Sequence, residues 1–157
     1  MAEELTIAKN ISKTEKYKQL LPQLEALLSA ETDIIANMAN LSAALKETFG
    51  FLWVGFYILK EGELVLGPFQ GPIACTRIIL GNGVCGTSYS KNKTLIVDDV
   101  NQFPGHIACS SESKSEIVVP FQFSDISGVL DIDSSAYSSF NEEDRTYLNE
   151  IVKLLDK

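Results

Sequence analysis

The sequence predicts an α+β protein, with a central antiparallel sheet of about six strands and helices from both chain ends packed on one face. Three observations carry that reading. Apolar residues recur at spacings of three and four between positions 14 and 49, and again after Asn141. Between these stretches the pattern changes to short runs rich in β-branched and aromatic residues. Short turns join those runs, and consecutive strands on short connections pair antiparallel.

The elements follow in order. Tyr17, Leu20, Leu21, Leu24 and Leu27 predict a helix over 14–29. A second helix begins near Glu31 with Thr32 as its N-cap; Ile34, Met38, Leu41, Leu45 and Phe49 form its apolar stripe and Gly50 stops it. Phe51–Leu59 and Leu64–Phe69 read as a β-hairpin across Glu61-Gly62-Glu63. Further strands are expected at Ile73–Leu80, Thr94–Asp98, Ser115–Phe121 and Ser127–Asp133. Gly81-Asn82-Gly83 is a turn leading into a short helix over Val84–Ser90, and Asn101–Ser113 is a long loop around Cys109. Asn141 caps the last helix, with Glu142, Glu143 and Asp144 in the first turn, where carboxylates suit the helix dipole. Its buried face is expected to be Tyr147, Leu148, Ile151 and Leu155.

The 157 residues suit one domain, 1–157, with one core, and 45% hydrophobic against 22% charged residues is a globular balance. The formal charge of −8 and the absence of a basic run disfavour nucleic acid and anionic membrane surfaces as partners. The start, Met1-Ala-Glu-Glu-Leu, lacks the basic and apolar regions of a signal peptide, and no apolar run approaches the ~20 residues that span a bilayer. A cytoplasmic protein is expected, whose thiols are kept reduced, so that a disulfide would be transient and catalytic.

Three cysteines in distinctive contexts carry the chemistry: Cys75 in Gly-Pro-Ile-Ala-Cys, Cys85 in Gly-Val-Cys-Gly and Cys109 in Phe-Pro-Gly-His-Ile-Ala-Cys. An odd number fits poorly with a closed disulfide framework. Cys85 reads equally well as a small core residue. Cys109 lies in a loop, where exposure and function are common. An oxidised thiol needs a second thiol nearby to release it as a disulfide. A zinc site of Cys75, Cys85, Cys109 and His106 is a competing reading, but only His106 and Cys109 form a close pair, whereas structural zinc sites bring ligands in close pairs. His106, the one histidine, could lower the Cys109 thiol pKa or donate a proton, but reads better as a loop residue near the site entrance.

The acids form a second constellation. Asp131 and Asp133 are two apart on an expected strand and so share a face, where they would repel unless a cation lies between them; a ligand ammonium group would serve. The alternative is a solvated strand end. Glu116, at the start of another strand, could return to the same pocket, while Asp98 and Asp99 read as solvated. Trp53 and Tyr57, four apart on a strand, share a face and could wall an apolar pocket or be ordinary core. The Gly81-Asn82-Gly83 turn before a helix offers backbone N–H groups to an anion such as a carboxylate.

Taken together, these segments resemble the free methionine-(R)-sulfoxide reductases, a family built on a single GAF domain. The likeness runs from Trp53-Val54-Gly55-Phe56-Tyr57 to Phe140-Asn141-Glu142-Glu143-Asp144, and is most specific at 67–75, 83–86 and 103–109, with Glu116-Ile-Val-Val-Pro120 and Gly128-Val-Leu-Asp-Ile-Asp133 adding to it. The resemblance implies that Cys109 is the nucleophile, Cys75 the main resolving thiol and Cys85 an auxiliary thiol. It implies that Glu116, Asp131 and Asp133 bind and polarise the substrate and that Trp53 and Tyr57 wall it. Free methionine-(R)-sulfoxide would be reduced through a Cys109 sulfenic acid and a Cys75–Cys109 disulfide, which thioredoxin or a similar dithiol would re-reduce. No cofactor and no metal are implied, and a homodimer is allowed. The rival from another class is a GAF module that binds a small ligand without turnover; such modules usually come joined to an output domain, and this chain is expected to end with its GAF-like segment.

Overall fold

In the computed structural model, residues 4–106 and 109–157 are described. Met1 to Glu3, and Ile107 and Ala108 of the 103–109 motif, lie outside the described residues. The first helix, α1 (Lys13–Ser29), starts where the Ser12 side chain accepts a hydrogen bond from the Glu15 amide. It buries Tyr17, Leu20, Leu24 and Leu28; Leu21 and Leu27, expected on this face, are half-buried at its margins. The second helix, α2 (Ile34–Phe49), is capped by Asp33 and not Thr32, because the Asp33 carboxylate accepts from the Ala36 amide at 2.9 Å. Glu31 instead takes the Thr32 and Asp33 amides, each at 2.7 Å, and closes the turn ahead of the helix. Gly50 ends α2 at φ +69°, in the left-handed region that favours glycine, and its N–H donates to the Lys46 carbonyl.

The six strands are β1 (Trp53–Lys60), β2 (Glu63–Gln70), β3 (Arg77–Ile79), β4 (Leu95–Val97), β5 (Ser115–Gln122) and β6 (Ser127–Ser134). They form one sheet in the order β3-β2-β1-β6-β5-β4, every neighbouring pair antiparallel. A third helix, α3 (Gly83–Lys91), follows β3, and α4 (Glu142–Lys153) ends the fold. The α+β class, the six antiparallel strands and the terminal helices on one face are therefore as the sequence predicts. The edge strand β3 is shorter than the expected Ile73–Leu80. Residues 71–76 leave the sheet as a connector, because the Pro72 and Cys75 carbonyls are taken by side chains of β1 and not by a neighbouring strand.

Strand alternation splits the buried side chains into two layers. Val54, Phe56 and Ile58 of β1, Ile117, Val119 and Phe121 of β5, and Leu130 and Ile132 of β6 meet α1, α2 and α4 in the larger core. Trp53, Tyr57, Val118 and Val129 face the other way, toward α3 and the connectors. Among the described residues no helix is long and apolar enough to cross a membrane.

One buried polar group ties the chain ends together. Asp144, fully buried in the first turn of α4, accepts from the Tyr17 hydroxyl and from Lys13 Nζ, each at 2.6 Å, and from the backbone N–H of its own cap residue Asn141 at 2.9 Å. With Asn141 it completes a capping box. Asp144→Ala removes a cap partner and leaves the buried Tyr17 hydroxyl unpaired. Its expected effect is a loss of about 2–4 kcal/mol of folding stability, read as a lower urea midpoint with an unchanged slope.

Candidate redox active site

The site begins with register. In β6, Asp131 and Asp133 sit two apart and face away from the larger core, as do Glu116 in β5 and Trp53 and Tyr57 in β1. Asp133 lies opposite Glu116 on one side and opposite Trp53 on the other, so those three form one row across the sheet. The next row is Gly55, Asp131 and Val118. Gly55 makes room for Phe69 and the Trp53 indole: a Cβ there would stand 2.3 Å from Phe69 Cβ and 2.6 Å from Trp53 Cη2. Trp53 stacks on Phe69 and Tyr57, with ring centroids 5.2 and 5.9 Å apart.

Three segments close over this floor. The Gly81-Asn82-Gly83 turn feeds α3, whose first turn carries Val84 and Cys85. The connector 71–76 brings in Pro72, Ile73 and Ala74. The loop before β5 brings in His106, Cys109, Ser110 and Ser113. Cys75 and Cys109, 34 residues apart in sequence, form a disulfide at the pocket wall, with Cα atoms 5.4 Å apart. This is the pairing that the resemblance implies, and it removes two of the four donors of the zinc reading. Cys85 is a free thiol, buried, 3.8 Å from Glu116 Oε1.

The electrostatics are those of charge crowded out of water. Glu116 and Asp131 are buried, and Asp133 is half-buried at the rim. Burial and then the repulsion of Asp131 and Asp133 hold the Glu116 carboxyl well above its ordinary range. Asp133 is pushed up in the same way, by burial and then by Asp131, against a hydrogen bond from Ser113 Oγ at 2.7 Å that favours its charged form. Asp131 is raised by burial, and its Oδ1 has no hydrogen-bond partner among the described residues. Burial, followed by Asp131 and Glu116, keeps Cys85 a thiol, while burial lowers His106 and keeps its imidazole neutral. The donor atoms of Cys85, Glu116 and Asp131 lie within 4.8 Å of one another, close enough for a metal ion. With all three groups pushed toward their protonated forms, they also form a cluster that can store and share a proton.

The structure thus gathers the residues that the sequence analysis nominates: Cys85, Cys109, Trp53, Tyr57, Glu116, Asp131, Asp133 and His106 border one pocket, and Cys75 is joined to it through its bond to Cys109. Asp98 lies exposed, outside it. Sequence reasoning missed Ser113, which reaches Asp133 from twenty positions away. No signal in the local sequence marks that serine; only the strand register brings it there.

Fold and site define a GAF-domain protein with a disulfide-bonded cysteine pair beside its pocket, and a family model for the GAF domain matches residues 32–155. The chain is 62% identical to GAF domain-containing protein A of Dictyostelium discoideum, over 99% of both chains. It is 47% identical to the free methionine-R-sulfoxide reductase of Escherichia coli, covering 94% of this chain and 90% of that one. The X-ray structure of free methionine-R-sulfoxide reductase from Neisseria meningitidis in complex with its substrate matches it with a TM-score of 0.94 at 50% identity, covering 99% of this chain and 94% of that one. The chain belongs to the GAF-domain family of free methionine-(R)-sulfoxide reductases, which are oxidoreductases.

The raised carboxyls have a consequence for stability. Between their ordinary and raised values the folded protein binds more protons than the unfolded chain. The contribution of these groups is therefore full below the ordinary carboxyl range and is lost as pH rises through the raised values. Glu116→Gln removes one titrating group and eases the repulsion on the other two. Urea midpoints compared from about pH 5 to pH 8 are expected to show the variant gaining on the wild type as pH rises, without ligand. A constant difference across that range counts against a raised Glu116.

Proposed function

We propose that this chain reduces free L-methionine-(R)-sulfoxide to methionine, with Cys109 as nucleophile and Cys75 as the resolving thiol. The observation that carries the reading is a Cys75–Cys109 disulfide set against a pocket floored by three crowded carboxyls. The relatives and the substrate-bound structure of a family member support the substrate.

The chemistry follows from the site. The sulfoxide oxygen leaves poorly unless protonated, and a neutral carboxyl in the Glu116, Asp131 and Asp133 cluster supplies that proton. The Cys109 thiolate attacks the sulfur, the S–O bond of the substrate breaks, methionine leaves, and Cys109 holds the oxygen as sulfenic acid. The Cys75 thiol attacks the Cys109 sulfur, forming the disulfide and releasing water. Thioredoxin or a similar dithiol then returns both thiols by exchange and is itself oxidised. Cys85, kept protonated by its surroundings, is held back from attack and serves as an auxiliary thiol.

Recognition of the free amino acid uses its two charges. The ammonium group answers the unpaired Asp131 Oδ1 and the half-buried Asp133. The carboxylate goes to the first N–H groups of α3, at Gly83, Val84 and Cys85, which have no partner within the helix. Trp53 and Tyr57 wall the apolar end of the substrate. A peptide-linked methionine offers neither charge. In this reading the whole chain works as one GAF unit in a reducing, cytoplasmic setting, without a metal or cofactor.

The test is methionine release from the R and S epimers separately, with dithiothreitol as reductant. Repeated turnover on the R form alone is the expected result. Methionine from neither, with the protein folded and its thiols reduced, would point instead to a ligand-binding module. Cys109→Ser is expected to abolish turnover, and Cys75→Ser to release one equivalent of methionine and then stall without added thiol; mass spectrometry of the stalled enzyme checks both. Asp133→Asn is expected to lower kcat/KM by about tenfold or more, as for loss of a charge-assisted contact, with little change in thermal midpoint.

A further inference from the structure

The two aromatic residues that wall the pocket also have polar edges, and both edges are committed. Tyr57 Oη donates to the Cys75 carbonyl at 2.8 Å, and Trp53 Nε1 donates to the Pro72 carbonyl at 3.1 Å. These bonds span the connector that carries Cys75. That connector has left the sheet: the ladder resumes only at the Thr76 carbonyl, which accepts from Leu66 N–H. Its most apolar side chain gives no anchorage, since Ile73 is 92% exposed. At its start, Gly71 lies close against Trp53 and the Leu52 carbonyl, with φ +138° and room for no side chain; a Cβ would stand 2.7 Å from Trp53 Cδ1 and 2.8 Å from the Leu52 oxygen.

We propose that Tyr57 and Trp53 are positioning residues for the disulfide-forming step, pinning the connector 71–76 so that the Cys75 thiol meets the Cys109 sulfenic acid. This rests on the assignment of Cys109 as nucleophile and Cys75 as its resolving partner. The step joins the two sulfurs, breaks the S–O bond of Cys109–SOH and releases water, with no outside oxidant. Its rate depends on how well one thiol is held against the other, because a fixed near-attack geometry supplies much of the rate of an intramolecular reaction. The phenol is a dependable donor for this purpose: burial, then the charge of Asp131, hold it far above the ordinary tyrosine value and keep it protonated. One pair of rings thus both borders the substrate and holds the thiol that clears the intermediate.

The experiment mixes reduced Tyr57→Phe, and separately Trp53→Phe, with one equivalent of free methionine-(R)-sulfoxide and no reductant. Methionine, free thiol and dimedone-trapped Cys109 are read in the same quenched samples. At position 57 phenylalanine keeps the ring and removes only the donor; at position 53 it keeps an apolar ring but removes the donor together with part of the stacked indole. In Tyr57→Phe the ratio of disulfide formation to methionine release is expected to fall about tenfold from wild type, with the Cys109 adduct accumulating, as for loss of one well-placed hydrogen bond. Trp53→Phe carries the same expectation and serves should the tyrosine variant fail to fold. An unchanged ratio in the folded variants overturns the proposal, as does a fall in methionine release that accounts for the whole defect. Cys75→Ser in the same experiment separates the underlying assignment: if it releases methionine and leaves no Cys109 adduct, the order of thiols is wrong and the clamp falls with it.

Discussion

Three carboxyl groups crowd one sheet face under the buried Cys85 thiol of α3, Glu116 and Asp131 buried and Asp133 at the rim, and the rest of the site is arranged around that crowding. Like charges opposite one another across strands destabilise a sheet, and Glu116 and Asp133 are directly opposed. An isolated buried carboxylate costs several kcal/mol, so the groups respond by holding protons. A cluster of this kind is poor as structure and useful as chemistry. It can give a proton to a poor leaving oxygen and then hold a cation with the negative charge left behind.

Such a face persists because the opposite face is conventional. The helices α1, α2 and α4 cover a continuous apolar layer from β1, β5 and β6, and Asp144 joins the first helix to the last through Tyr17 and Lys13. Asp144 shows what a satisfied buried acid looks like, with every bond it accepts coming from a well-placed donor. Asp131, with one oxygen unpaired among the described residues, is the contrast, and the contrast separates the core face of the sheet from the pocket face. The same strands serve both, since successive residues point to opposite sides.

Much of this could be read before any coordinates. The change from helical spacing to β-branched runs located the sheet, and the two-residue spacing of Asp131 and Asp133 put both acids on one face. Asn141 was legible as a cap because residue type and position carry the physics. Other features were not. Thr32 and Asp33 are both good caps, and the choice of Asp33 depended on Glu31 taking the preceding amides. The strand expected at Ile73–Leu80 forms only over Arg77–Ile79, and ahead of it the Pro72 and Cys75 carbonyls are bonded by side chains of β1, far away in sequence.

By itself, the sequence determined the class of fold, the alternation that separates a core face from a site face, and the inventory of reactive groups, including the three cysteine contexts. Those are local properties, written in spacing and residue type. Only the tertiary structure decided that Cys75 and Cys109 share a disulfide, that Glu116 stands opposite Asp133, that Ser113 reaches Asp133, and that Tyr57 and Trp53 hold the connector between β2 and β3. Each of these joins residues 17 to 34 positions apart, and strand register and loop closure, which no short window of sequence encodes, bring them within bonding distance.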